Sequence, residues 1–153
     1  MAFIFRVDSS TTNDTGAGTA YNNVQLFGDD ATPGIRVGIA LLNNSGAAGI
    51  RFWVYDGAFK ATPISTNLTF GQWAYAVVKK AGTTLSLSVR GEPFLNTTGV
   101  GNITATAQRA KFGFGAVPLT FFDGRFRAMI HGHWVQNDFD RFYNYCTFRL
   151  GIA

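Results

Sequence analysis

The chain has 153 residues, 46% of them hydrophobic and only 14% charged, and its formal charge of +4 reflects scarce acids more than abundant bases. That balance excludes a disordered chain, and no apolar run approaches the roughly 20 residues of a membrane-spanning helix. The basic residues are scattered, with Lys79-Lys80 the only adjacent pair, whereas a nucleic-acid binder gathers its charge on one face.

A chain of this length fits one domain, and residues 1–153 are read as such because no repeat or linker interrupts them. Its core can stand without staples, and the single Cys146 forms no intrachain disulfide. Abundant Gly and Phe, with Thr and Asn crowding the segments between apolar runs, predict many short strands joined by tight turns.

Residues 2–8 (AFIFRVD) alternate weakly and are expected to form the first strand. A polar loop over 9–20 follows, then strands at about 22–28, 34–42 and 49–56. In the second of these Ile35, Val37, Ile39 and Leu41 share one face. Asp29–Gly34 and Asn43–Gly46 are turn signals between them. Gln72–Lys80 and Thr84–Arg90 read as a hairpin joined through Ala81-Gly82-Thr83, with Leu85, Leu87 and Val89 on one side. After a long turn-rich stretch come strands at Ala110–Ala116 and Asp123–Val135. Only the tail is helical. Asn137 or Asp138 would cap it, Phe139, Phe142, Tyr143 and Cys146 make one face, and Gly151 ends or follows it. That face is expected to dock on a sheet, with Cys146 a small buried apolar residue.

The run from Phe70 to Gly91 opens a strand with Trp73 and continues through an apolar run, the Gly82 turn and a second strand. It resembles the central signature of laminin G-like, concanavalin A-like lectin domains. Phe122-Asp123-Gly124-Arg125-Phe126 resembles the later aspartate-glycine strand start of that family, and Asp138–Ile152 resembles the short helix and ending of its bacterial and phage members. The likeness runs in order along the whole chain. It implies an all-β fold: a two-sheet antiparallel jelly-roll β-sandwich with a short C-terminal helix. Arg90-Gly91 stands where the family has Asn-Gly, a change expected to matter little because Gly supplies the turn. Phe3–Val7 matches what is normally the second strand, so the first has no room. Its place beside the last strand is expected to be an open edge that another chain covers.

The fold implied also hosts sugar hydrolases, which need two carboxyl groups roughly 5–9.5 Å apart. No Glu-x-Asp-x-x-Glu pattern occurs; Glu92 is solitary beside Pro93, and Asp29-Asp30 belong to a turn. The expectation is therefore of no catalytic residues. On a strand, His131 and His133 would share a face about 7 Å apart. They could offer two metal ligands, but Arg125, Arg127 and Met129 line that face, and no Cys, Glu or third His accompanies them nearby, although Asp123 lies upstream on the same strand. Arg127, His131 and His133 are thus read as a polar outward face, with Phe126, Ala128, Ile130 and Trp134 inward and no metal bound. Calcium is the one cofactor that the resemblance allows, although Asp8, Asp14, Asp29, Asp30 and Asp138 form no dense cluster.

Sugar binding needs an aromatic plane with polar groups beside it. Alternation puts Arg51, Trp53 and Tyr55 on one face, next to Asp56, as a candidate sugar platform. The alternative is that Trp53 and Tyr55 pack inward while Phe52 and Val54 face out. Trp73 is expected in the core, with Tyr75 and Val77 on its face.

Two functions follow from these expectations. The first is a non-catalytic virion structural protein with a lectin-like fold, a phage capsid decoration or tail-fibre module. It would dock on capsid or tail proteins, or on its own copies, and contact host-surface glycans. The second is a free or excised carbohydrate-binding, adhesin-type module, secreted or at a cell surface. Met1–Arg6 does not read as a secretory signal, so the Asn-x-Ser/Thr triplets at Asn13, Asn43, Asn67, Asn96 and Asn102 are expected to serve as turns rather than glycan acceptors.

Overall fold

The computed structural model describes residues 1–8, 24–29, 37–44, 47–66, 68–103, 110–115 and 124–152. Ten strands are defined in these segments: β1 Ala2–Val7, β2 Val24–Asp29, β3 Val37–Asn44, β4 Ala47–Tyr55, β5 Phe59–Ala61, β6 Trp73–Ala81, β7 Thr84–Val89, β8 Leu95–Thr97, β9 Ala110–Gly115 and β10 Gly124–Ile130. A helix α1 (Gln136–Asn144) runs on into a π-helical segment, Tyr145–Arg149. The chain is thus mostly β, with two antiparallel sheets and a short C-terminal helix. The first sheet has the order β10-β1-β6-β7-β8 and the second β5-β4-β3-β2-β9.

Side-chain alternation explains how the layers meet. From the first sheet Phe3, Phe5 and Val7 of β1, Ala74, Ala76 and Val78 of β6, and Leu85, Leu87 and Val89 of β7 point to one side. From the second come Ile39 of β3 and Ile50, Phe52 and Val54 of β4, and these side chains form one shared core. Each large apolar side chain fully buried there contributes about 1.5–3 kcal/mol. The opposite face of the first sheet is covered as well: Ala2, Ile4, Tyr75 and Val77 pack against Phe139, Phe142, Cys146 and Ile152 of the C-terminal segment. β1 and β6 therefore lie between two apolar layers, and the run Ala74–Val78 is buried without a break. Trp73 is half-buried and joins this helix-side layer with Tyr75 and Val77, rather than the core between the sheets.

Several local expectations change. β4 ends at Tyr55 and β10 at Ile130, so His131, His133 and Trp134 follow the strand instead of continuing it. Ala81 pairs with Thr84, which leaves a two-residue Gly82-Thr83 turn with Gly82 at φ +53°. A glycine at the first central position is what a II′ hairpin turn requires. Asn43 and Asn44 are not in the turn but pair with Ala48 and Ala47. The short strand β8 lies in the stretch expected to be turns, and β5 in a segment for which no element is predicted. Neither Asn137 nor Asp138 is the helix cap: Val135 holds that position, and Asp138 accepts the Val135 backbone N–H at 3.0 Å. Gly151, at φ +64°, ends the segment, and the Ile152 N–H bonds to the Cys146 carbonyl. The 9–20 loop, the 30–34 part of the first turn and Ile35 lie outside the described residues.

Candidate functional site

On the outer face of the second sheet, β4 presents Arg51, Trp53 and Tyr55, while Phe52 and Val54 fill the core. The orientation is therefore that of a platform, yet Trp53 is only 8% exposed. Its cross-strand neighbours Gly38 and Ala61 are small and leave room for the indole to lie flat. A Cβ at Gly38 would stand 2.6 Å from Trp53 Cε2, so the ring occupies the space a side chain would take. Phe59 from β5 then covers it, with ring centroids 5.4 Å apart. The aromatic surface open to solvent is that of Phe59, 52% exposed, and Tyr55.

Arg51 lies over the Phe59 ring with its guanidinium carbon 5.1 Å from the centroid. Its Nε is buried with no hydrogen-bond partner, and burial lowers the pKa of the guanidinium. Asp56 serves the loop: Oδ2 accepts the Gly101 N–H and Oδ1 the Ala58 N–H. The Gly101 bond is the largest cause of its lowered carboxyl pKa. A carboxylate occupied by backbone donors holds the turn in shape rather than reaching for a ligand.

The second group falls at another place. Arg127 is exposed on β10, and His131 and His133 are exposed in the segment between β10 and α1. Both imidazoles line a cleft of about 680 Å³, together with Lys79, Lys80 and Trp134. A second cleft of about 590 Å³ shares Gly132, His133 and Trp134 with the first and is also lined by Asp138, Arg141 and Tyr145. Lys79 holds its ammonium 4.1 Å from the Phe94 ring centroid and 5.4 Å from that of Phe139. In the sequence Lys79-Lys80 is an adjacent basic pair closing a predicted strand, with nothing local to link it to His131 and His133. Its union with the histidine segment depends on β1 lying between β6 and β10, a pairing that local pattern does not reveal.

The remaining acids are engaged or apart. Asp8 pairs with Arg6, Asp138 holds the helix start, and Asp14 and Asp30 lie outside the described residues. Among the described residues no three His, Cys, Asp or Glu side chains gather as a metal-binding group. Cys146 is fully buried, and burial pushes its thiol up to about 12, which suppresses the thiolate that a nucleophile needs. No helix among the described residues is long and apolar enough to cross a membrane.

The margin of the first sheet is the third notable surface. β10 pairs only with β1, and among the described residues no strand lies on its other side. Phe126 and Ile130, expected to face inward, are exposed, as is Met129. Ala128 and Trp134, expected inward with them, are half-buried against the helix-side layer.

No family model matches the chain, and no curated protein matches it.

Proposed function

We propose that the chain is a non-catalytic structural module of a virion, built as a lectin-like, laminin G-like jelly roll, and that it docks as a phage capsid decoration or tail-fibre component on other virion proteins. The observation that carries the docking is β10, a seven-residue marginal strand exposing Phe126, Met129 and Ile130. Long exposed apolar edges are aggregation hazards unless a partner covers them. Arg125 and Arg127 select the partner. Pairing β10 with its own copy would set like charges against each other, whereas an acidic strand or loop of another protein would complement them. The resemblance of the Phe70–Gly91 and Phe122–Phe126 segments to lectin-like domains supports the same reading.

Electron cryomicroscopy of native particles tests this proposal. The chain should appear in the particle with β10 against a neighbouring protein. Its absence from purified particles, or a β10 margin facing solvent in every copy, would defeat the proposal.

A second reading, a carbohydrate-binding module, is favoured by the Arg51 cation stacked on the exposed Phe59 beside Tyr55. It predicts glycan affinity that Phe59→Ala abolishes, measured by calorimetry. Unchanged affinity would remove this face as the site.

A further inference from the structure

The cleft of about 590 Å³ has apolar and aromatic walls, made by Ile130, Trp134, Phe142 and Tyr145. Its indole is held in place. Trp134 packs on Phe139 and Phe142, with ring centroids 5.3 Å and 5.6 Å away. Gly132 makes room for it, because a Cβ there would stand 3.3 Å from Trp134 Nε1. Tyr145 keeps about half its surface open, at 51% exposure.

Two opposite charges stand in this aromatic setting: Asp138 and Arg141, three positions apart on α1. That spacing puts their Cβ atoms about 5–6 Å apart on one side of the helix. They do not pair with each other, since among the described residues the one ion pair joins Arg6 and Asp8. Asp138 turns Oδ2 back to the Val135 N–H at 3.0 Å, which leaves Oδ1 for a ligand. The Arg141 guanidinium is exposed and, among the described residues, donates no hydrogen bond.

This pair selects by charge. A metal ion or simple amine drawn to Asp138 would lie beside the Arg141 cation, and a simple anion drawn to Arg141 would lie beside the Asp138 carboxylate. A ligand with an ammonium and a carboxylate on one carbon offers each residue its opposite charge. The aromatic walls call for an apolar body on the same molecule, and the volume falls within the about 300–1,000 Å³ of small-molecule sites. An α-amino acid with an aromatic side chain meets all of these conditions.

We propose that this cleft binds a free aromatic α-amino acid. The ammonium meets Asp138 Oδ1, the carboxylate meets the Arg141 guanidinium, and the ring lies against Trp134 and Tyr145. The assignment rests neither on docking at β10, which contributes only Ile130, nor on the Phe59 platform of the other sheet.

Calorimetric titration of the isolated chain tests it, with L-phenylalanine at millimolar concentration as the probe. Three analogues each lack one element: phenethylamine the carboxylate, hydrocinnamate the ammonium, and L-alanine the ring. L-Phenylalanine should outbind each by about tenfold, the loss of one charge-assisted contact or of the stacked ring. Arg141→Gln should lower phenylalanine affinity about tenfold and abolish its advantage over phenethylamine, while Asp138→Asn should abolish its advantage over hydrocinnamate. A merely structural role for either residue would not produce these crossed losses. Asparagine keeps an oxygen for the Val135 N–H. Arg141→Gln replaces an exposed side chain and should leave the melting temperature unchanged, so it carries the test if Asp138→Asn loosens the helix. Absence of phenylalanine binding would overturn the assignment. So would an analogue that binds as tightly, or affinity indifferent to Arg141→Gln.

Discussion

The sharpest test of the packing on the second sheet is Gly38→Ala. Gly38 has no left-handed backbone, so an alanine is conformationally allowed there, and relief of unfolded-chain entropy alone would stabilise the protein by about 0.4–1 kcal/mol. The added methyl, however, would sit 2.6 Å from Cε2 and Cζ2 of Trp53. The indole cannot swing away freely because Phe59 lies over it at 5.4 Å. Overpacking of this kind costs about 1–3 kcal/mol, so a net loss of about 1–2 kcal/mol is expected. For a chain of this size that lowers the melting temperature by about 2–8 °C, measurable by circular dichroism. Trp53→Leu removes the ring, and in that background Gly38→Ala should become neutral or slightly stabilising. If Gly38→Ala costs nothing in the parent, or costs the same beside Trp53→Leu, the indole does not fill the space above Gly38.

Arg90 is the only described non-glycine residue with positive φ, at +52°, and with Gly91 at +74° it forms a turn closed by the Glu92 N–H to the Val89 carbonyl. Both central residues are left-handed, as in a type I′ turn, so glycine alone does not supply the geometry. Arg90→Asn should stabilise by about 0.5 kcal/mol in urea titration, strain relief exceeding the lost guanidinium bonds to Gln72 and the Trp73 carbonyl. Burial raises the pKa of Cys146 from 9.0 to about 12, and also raises those of Tyr75 and Tyr143. Folded and unfolded chains both keep these protons below pH 9, but above it the unfolded chain releases them first. Stability should therefore fall as pH rises from 9 towards 12, and Cys146→Ala should delay the onset; a flat profile would contradict the burial. On the sheet margin, Met129→Lys should change the melting temperature little, because that side chain is exposed, yet should reduce incorporation into particles in a reconstitution assay.

The alternation of Leu85, Leu87 and Val89 identifies a face correctly because β7 has one face on the shared core. On its other face Ser86 and Ser88 are buried too, where Ser86 Oγ donates to Asn96 Oδ1 and Ser88 Oγ to the Glu92 carbonyl. Polar character along a strand thus does not by itself mean solvent. In β6 the unbroken burial of Ala74–Val78 hides which side chains face which layer, and only the docking of Phe139 and Phe142 separates them. The helix face was legible because its spacing has one solution, whereas Trp73 and Tyr75 could serve either layer.

The candidate sites failed to be legible for a related reason. Period two gives the direction of Trp53 but not its exposure, which depends on Gly38 across one strand and on Phe59 in a three-residue strand too short to read. At β10 the opposite error arises: apolar Phe126 and Ile130 imply an interior, but both are exposed, and among the described residues no strand lies beyond β10. Hydrophobicity in a sequence marks surface that is unfavourable in water, and it cannot say whether the covering layer belongs to the same chain. The exposed Phe126, Met129 and Ile130 of β10, beside Arg125 and Arg127, are the surface that the proposed docking on a second protein would cover. At the same margin the predicted strand runs too far, through His131, His133 and Trp134, although the histidines are exposed and Trp134 is half-buried as the alternation implies. Once β10 ends at Ile130, those residues line a cleft with Lys79 and Lys80.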